Sequence, residues 1–297
     1  MSPKKILLTV LVAAGLAGAS ALSYWLQKPS QPSRPLAGLQ AADVARIELD
    51  YNGEHAVLEK AGGSWRLAAP IQDEADAAAA EALSQGLRNL ALGSEVSRES
   101  ASHADYEVNE SSAARVRVYS RASAAPVLDG FFGKPAMGAT VYFRPSREAT
   151  VYLAEGAPSD ALRRGAQDLR SKALLPFSVG ELTSLKFSGA GGFTLVKSSS
   201  SWTASGRQLS SEAAAEIVLS LASLRFTEFA SAGAPLKTGF DKPVLDVVAT
   251  AGARSERIRI GREDRGGRAA EVAGRKAVGF VAKPQTDSLL KLLKKPK

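Results

Sequence analysis

The residue types that most often carry out catalysis are scarce in this chain. Two histidines and no cysteines occur among its 297 residues. His103 lies in a polar stretch with Ser100, Ser102 and Asp105, but a serine hydrolase needs these groups brought together by the fold, and Ser and Asp are common loop residues. His55 lies in the return strand of a predicted hairpin. The sequence therefore predicts no catalytic residues and a protein that is not an enzyme.

Metal and cofactor sites are not predicted either. Asp73, Glu74 and Asp76 could together bind a hard cation, but helix-start charge explains them more simply, with Asp73 as the N-cap of the helix. The glycine-rich stretch 189–192 lacks the Gly-Lys-Ser/Thr ending of a phosphate loop and does not open a helix. Trp65 and Trp202 are expected to be core residues rather than residues that stack on a ligand. We therefore expect no metal ion and no cofactor.

Positive charge is the feature with functional content. The net charge is +8, and residues 1–249 carry 25 basic and 25 acidic side chains, whereas residues 250–297 carry 13 basic and 5 acidic ones. Such a surface attracts anionic lipid headgroups, acidic envelope polymers or an acidic protein; a solvated basic face is the simpler alternative. No aromatic residues interleave with these charges, so nucleic acid is not an expected partner. The predicted contact residues are Arg254, Arg257, Arg259, Arg262, Arg265 and Arg268.

The N-terminus predicts a membrane anchor. Lys4 and Lys5 precede an uncharged run, residues 6–26, which as a helix would be about 30 Å long and would cross a bilayer core. The two positive charges favour a cytoplasmic N-terminus, so we expect a single-pass inner-membrane protein with most of the chain in the periplasm. The Ala-x-Ala pattern at 19–21 leaves a cleaved signal peptide open as the alternative.

The remaining chain predicts a linker and a repeat. Residues 28–40 are rich in Pro and Ser and are expected to stay extended. After them one pattern occurs twice: a strand, a turn and a strand ending on Trp65 or Trp202, then a helix with one apolar stripe, then further strands. We predict an anchor over 1–27, a linker over 28–40, and repeats over 41–178 and 179–297.

Local patterns within each repeat favour mixed structure. Residues 47–51 alternate between apolar and acidic side chains, and Asn52-Gly53 is a strong hairpin signal. Residues 160–175 are predicted to form a helix that Pro176 ends. The predicted fold class is α+β, with two tandem repeats, each a mainly antiparallel sheet with two helices, behind one N-terminal transmembrane helix.

Three short motifs resemble domain-of-unknown-function family 4340, a group of bacterial proteins. They are Trp65-Arg66-Leu67 with Pro70, the stretch 169–175 followed by Phe177, and Gly239-Phe240-Asp241-Lys242-Pro243. The first repeat has 106–109 at the place of the last motif, without its Gly and Pro. The resemblance implies an N-terminal membrane anchor and an envelope accessory role near transporters related to gliding-motility genes. It implies no catalytic residues.

Together these observations predict a non-catalytic, membrane-anchored cell-envelope protein. It would be an interaction or accessory module of a transporter-type or motility-type assembly. Its contacts would be with the membrane through residues 6–26 and with an anionic partner through the basic stretch. The alternative is a periplasmic ligand-binding or processing protein with a site between the two repeats.

Overall fold

Most of the chain forms antiparallel β-strands. The computed structural model describes residues 33–40, 43–188, 192–206, 208–230, 237–264, 266–275 and 277–294. The first ten strands are β1 (Arg34–Pro35), β2 (Val44–Tyr51), β3 (Glu54–Ala61), β4 (Ser64–Ala69), β5 (Asp73–Glu74), β6 (Ala91–Ser97), β7 (Ala114–Ser120), β8 (Leu128–Pro135), β9 (Thr140–Pro145) and β10 (Val151–Glu155). The later strands are β11 (Ser184–Phe187), β12 (Phe193–Ser198), β13 (Ser201–Ser205), β14 (Phe226–Phe229), β15 (Leu245–Ala251), β16 (Arg254–Asp264), β17 (Gly267–Val272) and β18 (Ala277–Ala282).

Helices are short and few in comparison. They are α1 (Ala37–Gln40), α2 (Ala77–Arg88), α3 (Ser159–Leu162), α4 (Ala166–Leu169), α5 (Ser211–Ala222) and α6 (Lys283–Lys294), with 3-10 turns at Ser100–His103 and Ala273–Arg275. Ser210 caps α5, because its Oγ accepts a hydrogen bond from the Ala213 N–H at 3.2 Å.

The chain divides into two units, and each is built from two separate segments. The first unit comprises the described parts of Met1–Lys60 and Ala79–Gly165, and the second those of Ala61–Ala78 and Ala166–Lys297. This division differs from the predicted repeats over 41–178 and 179–297. The segments 61–78 and 166–178 belong with the later part of the chain, because bridges join Ala75 to Arg170 and Ala173 to Arg225.

Each unit has a sheet, and the two sheets share one strand order. In the first unit the order is β1-β6-β10-β9-β8-β7-β2-β3, and in the second it is β14-β18-β17-β16-β15-β11-β12-β13. The strands correspond one to one when β6 is matched with β14. From there each strand has the same neighbours in both sheets, up to the match of β3 with β12. The segment around Leu174 is the counterpart of the edge strand β1 in the second unit. Just after β1, Leu36 N donates to Leu90 O at 3.3 Å, and in the second unit Leu174 N donates to Leu224 O at 3.1 Å.

The apolar periodicity of the sequence places the core of the second unit. Ile217 and Leu221 of α5, Ile258 and Ile260 of β16, and Leu289 of α6 lie in one buried cluster. In the first unit the β2–β3 hairpin turns at Asn52 and Gly53, whose φ angles are 55° and 78°. Positive φ at both positions is the geometry of the tight hairpin turn that this dipeptide favours.

The predicted fold class, α+β repeats behind a transmembrane helix, is wrong. The described chain is mostly β, in two antiparallel sheets. The helix predicted over 160–175 is instead two four-residue helices, α3 and α4, followed by extended chain. The reason is that Lys172 O and Leu174 N bond to Phe226 N and Leu224 O. Strand-type pairing thus takes the backbone groups that a helix would need.

The predicted anchor, residues 6–26, lies outside the described residues. Within the described part of the chain, no helix is both long and apolar enough to cross a membrane. The second half of the predicted linker is folded: Arg34 and Pro35 pair with Leu92 and Ala91 of β6, and Leu39 is buried.

Equivalent glycines let a turn approach each sheet closely. A Cβ on Gly133 of β8 would overlap the carbonyl oxygen of Tyr106, and one on Gly261 of β16 would overlap that of Thr238. The next residues in the two turns, Glu107 and Gly239, have φ angles of 55° and 67°. The first unit therefore holds the same backbone turn as the second without the glycine of the Gly-Phe-Asp-Lys-Pro motif, at the cost of a strained non-glycine residue.

We expect Gly261→Ala to destabilise the protein by about 1–3 kcal/mol or more, because the methyl group forces Thr238 or β16 to move. Gly180→Ala is the matched control, since its Cβ would meet Ser178 Oγ at 3.8 Å, an ordinary contact. Urea unfolding monitored by circular dichroism measures both. Equal unfolding midpoints for the two variants would contradict this close approach.

Candidate functional site

The strongest concentration of buried charge lies in the second unit, around Asp73. One carboxylate oxygen of Asp73 accepts from Arg170 Nη2 at 2.7 Å and Nε at 2.9 Å. The other accepts from Arg275 Nε at 2.9 Å. The three side chains are 0%, 5% and 4% exposed in that order. One negative charge is thus held by two guanidinium groups out of contact with solvent.

The remaining donors of the two arginines are used as well. Arg275 donates from Nη1 to Ala173 O and from Nη2 to Ser171 O, both at 2.8 Å. The Arg170 guanidinium lies over the ring of Phe229, 3.5 Å from its centroid. Buried charges need such complete pairing, since an unpaired one costs several kcal/mol. The cluster therefore fixes segment 171–173 against β5 and the turn before β18.

Burial and pairing act in opposite directions on the pKa of Asp73. Burial alone would raise this pKa, but the hydrogen bonds and charge of Arg275, followed by those of Arg170, lower it below its ordinary value. The neighbouring Glu74 shows the opposite outcome: burial raises its pKa, and the Arg275 charge only partly offsets this. A dry carboxylate with a lowered pKa is a poor proton acceptor, so the chemistry of Asp73 is that of a structural ion pair.

The expected role of Asp73 as a helix N-cap is wrong. Asp73 and Glu74 form β5, and α2 begins at Ala77. The structure also does not favour the alternative of a cation site at 73–76, because both carboxylate oxygens of Asp73 accept hydrogen bonds from arginines. Sequence reasoning missed the two partners, Arg170 and Arg275. One signal in the sequence was Arg170 itself. A charged residue next to Leu169 and close to the apolar stretch 173–175 indicates a buried charge that needs a partner.

Each predicted contact arginine that the structure describes has a partner in its own unit. Arg254 pairs with Glu181 at 3.2 Å, Arg257 with Asp246 at 2.6 Å and Arg268 with Asp287 at 2.8 Å. Arg259 pairs with Glu271, and Arg262 donates to Lys237 O at 3.1 Å. Arg265 lies outside the described residues. Among the four of these arginines that form ion pairs, Arg254 and Arg257 have the most exposed side chains, at 67% and 53%.

One of these pairs has a counterpart in the first unit with the charges exchanged. Arg257 of β16 grips Asp246 of β15 through Nε and Nη2, at 2.9 and 2.6 Å. In the first unit, Arg115 of β7 and Asp129 of β8 are the equivalent diagonal pair of neighbouring strands. Arg115 donates to Asp129 through the same two nitrogens, both at 3.1 Å. The attraction is the same whichever strand carries the positive charge, so the pair stabilises both sheets.

Each of the two histidines has a short polar contact. His103 Nε2 bonds to the Ala149 carbonyl oxygen at 2.7 Å, and the neighbouring Ser102 Oγ donates to Glu99 O at the same distance. His55 Nδ1 lies 2.5 Å from Asp50 Oδ1 on the exposed side of the first sheet. Within the described chain, no three His, Cys, Asp or Glu side chains group as a metal site. Trp65 and Trp202 are buried in the core, as expected.

A family model described as Domain of unknown function (DUF4340) matches residues 65–243, more than half of the chain. The chain belongs to this family. The resemblance predicted from the short motifs is thereby confirmed. The DUF4340 match includes Trp65, Asp73 and Arg170, whereas Arg275 lies beyond it. No curated protein and no solved structure matches the chain significantly.

We expect Asp73→Asn to destabilise the protein by about 3–5 kcal/mol, because it leaves two buried guanidinium groups without their counter-charge. Asp168→Asn is the matched control: Asp168 is 58% exposed and pairs with Lys172 at 3.5 Å, and exposed pairs contribute about 0–1 kcal/mol. Urea unfolding of both variants checks the difference, and a loss below about 1 kcal/mol for Asp73→Asn would refute the central role of this cluster.

The lowered pKa of Asp73 also predicts a pH dependence. Its contribution to stability is fully present above the unfolded-state pKa, about 3.9, and is lost as the pH falls through the lower folded-state pKa. The difference in unfolding free energy between the wild type and Asp73→Asn should therefore be constant above about pH 5 and shrink below about pH 4. A difference that does not change down to pH 2 would contradict this ionisation.

Proposed function

We propose that this protein is a non-catalytic interaction module of the cell envelope that binds an acidic protein segment through Arg254 and Arg257. The observation that carries the proposal is the excess of 13 basic over 5 acidic side chains in residues 250–297. Arg254 and Arg257 place part of this excess on the exposed start of β16.

The ion pairs of these arginines are compatible with such a partner. Exposed pairs contribute little to stability, so exchanging an internal carboxylate for that of a partner costs little. Arg254 and Arg257 already bind the carboxylates of Glu181 and Asp246, and the Arg257 contact is two-pronged. Because Arg254 and Arg257 are three residues apart on β16, their side chains extend from opposite faces of the sheet. A partner that binds both therefore has to pass around the start of β16, which a flexible acidic peptide with several carboxylates can do.

The absence of catalysis is part of the same proposal. Two observations support it. Asp73 is buried and paired with arginines, and the His103 ring nitrogen bonds to a backbone carbonyl oxygen, so neither side chain is placed to act on a substrate. The location on the periplasmic side of the inner membrane rests on the N-terminal sequence and stays a prediction. The role as an accessory of a transporter-type or motility-type assembly rests on the family resemblance.

The test measures binding of fluorescein-labelled poly-aspartate to the full-length protein in a neutral detergent, followed by fluorescence anisotropy. We expect binding that weakens between 0.15 and 1 M salt, because the screening length falls from about 8 to about 3 Å. The double variant Arg254→Glu/Arg257→Glu should bind about tenfold more weakly or worse.

The matched control is Arg98→Glu/Arg121→Glu in the first unit, which reverses two equally exposed arginines paired with Glu95 and Asp43. It should change the affinity by less than about twofold. Equal loss in both double variants would show only a net-charge effect and would overturn the proposal. Tighter binding of polyphosphate or of phosphatidylglycerol nanodiscs than of poly-aspartate would replace the acidic segment with a phosphate-bearing partner.

A further inference from the structure

A small cavity in the second unit lies next to the Asp73 cluster. Its volume is about 330 Å³, the room of roughly ten water molecules at about 30 Å³ each. The polar side chains on its wall are Glu74, Ser171, Ser178 and Arg225. The cavity is therefore large enough for a small organic molecule and offers it charges of both signs.

The two charged residues flank the cavity because of how segment 171–174 is bound. On one edge of this segment, Ser171 N donates to Glu74 O at 2.9 Å. On its other edge, Ala173 pairs with Arg225 in an antiparallel bridge. Glu74 and Arg225 thus approach the segment from opposite sides, and a molecule in the cavity lies between a carboxyl and a guanidinium group.

Both charged groups are available to a ligand. Among the described residues, the Arg225 guanidinium forms no ion pair or side-chain hydrogen bond, and the residue is exposed. Glu74 is 41% exposed and lies 3.8 Å from Arg275 Nε, beyond hydrogen-bond distance. Asp73, in contrast, is already saturated by the two arginines. Arg225 is therefore the uncommitted charge of the cavity, and Glu74 has only a long ion pair with Arg275.

The rest of the wall is apolar. Leu175 and Phe177 belong to the buried core cluster of the unit and also line the cavity, together with Val179 and Ala222. The guanidinium of Arg254 lies 5.1 Å from the centroid of the Phe177 ring. A ligand that fits this wall needs an apolar body as well as its charged groups.

We propose that this cavity binds an apolar α-amino acid, with its carboxylate on Arg225, its ammonium group on Glu74 and its side chain against Leu175 and Phe177. A simple anion would be attracted by Arg225 and repelled by Glu74. A simple cation would be attracted by Glu74 and repelled by Arg225. A zwitterion satisfies both groups at once. This proposal does not rest on the acidic-segment contact, although Arg254 of that contact lies over the Phe177 ring of the cavity wall.

Isothermal titration calorimetry on the full-length protein tests the site with L-leucine as the probe. N-acetyl-L-leucine lacks the ammonium charge, and L-leucinamide lacks the carboxylate. Since each charge-assisted hydrogen bond is among the stronger polar contacts, we expect each derivative to bind at least about tenfold more weakly than leucine. No heat of binding with leucine, valine or phenylalanine at about 10 mM would overturn the proposal.

Variants locate the binding. Arg225→Gln and Glu74→Gln should each weaken leucine binding at least about tenfold, and Ala222→Leu should abolish it by filling the cavity. Lys186→Gln, which changes an exposed charge on β11 of the same unit, is the control and should leave the affinity unchanged. Thermal unfolding confirms that each variant is folded. Leucine binding that survives both Arg225→Gln and Glu74→Gln would place the ligand elsewhere and overturn the assignment.

Discussion

The second unit depends on the neutralisation of two buried guanidinium groups by one carboxylate. Arg170, Arg275 and Asp73 come from three separate parts of the chain, and each is sealed from solvent. Because buried charge is tolerated only when it is paired, the position of each of the three fixes the other two. The β4–β5 strand pair, segment 171–173 and the turn before β18 are therefore held in one arrangement. The hydrophobic core of α5, β16 and α6 supplies the bulk of the burial, but burial alone is not directional.

Sequence patterns predicted the parts of the fold that local chemistry controls. The Asn52-Gly53 hairpin and the buried tryptophans follow from turn geometry and from period-two hydrophobicity. The motifs that indicated the family were also correct. Each of these features depends on residues close together in the chain.

The parts that failed depend on distant partners. Residues 160–175 have helical periodicity, yet 172–174 are extended because Leu224 and Phe226 supply strand-type hydrogen bonds. Asp73 looked like a helix cap because its true partners lie 97 and 202 residues later. Charge counting found the basic stretch but could not show that Arg254, Arg257, Arg259 and Arg268 have carboxylates next to them. The charged walls of the cavity, Glu74 and Arg225, are likewise brought together only by the bridge at Ala173.

The separation between Asp73 and Arg275 has a consequence for how the protein is made. At roughly 5–20 residues per second, the ribosome adds Asp73 to the chain about 10–40 s before Arg275, which lies 202 residues later. The last residue of the first unit, Gly165, is also made within this interval. Arg170 follows Asp73 by 97 residues and can pair with it first, but the bond from Arg275 must wait until β17 has been completed. Loss of the last fifth of the chain would therefore leave a defect near residue 73, far upstream of the break.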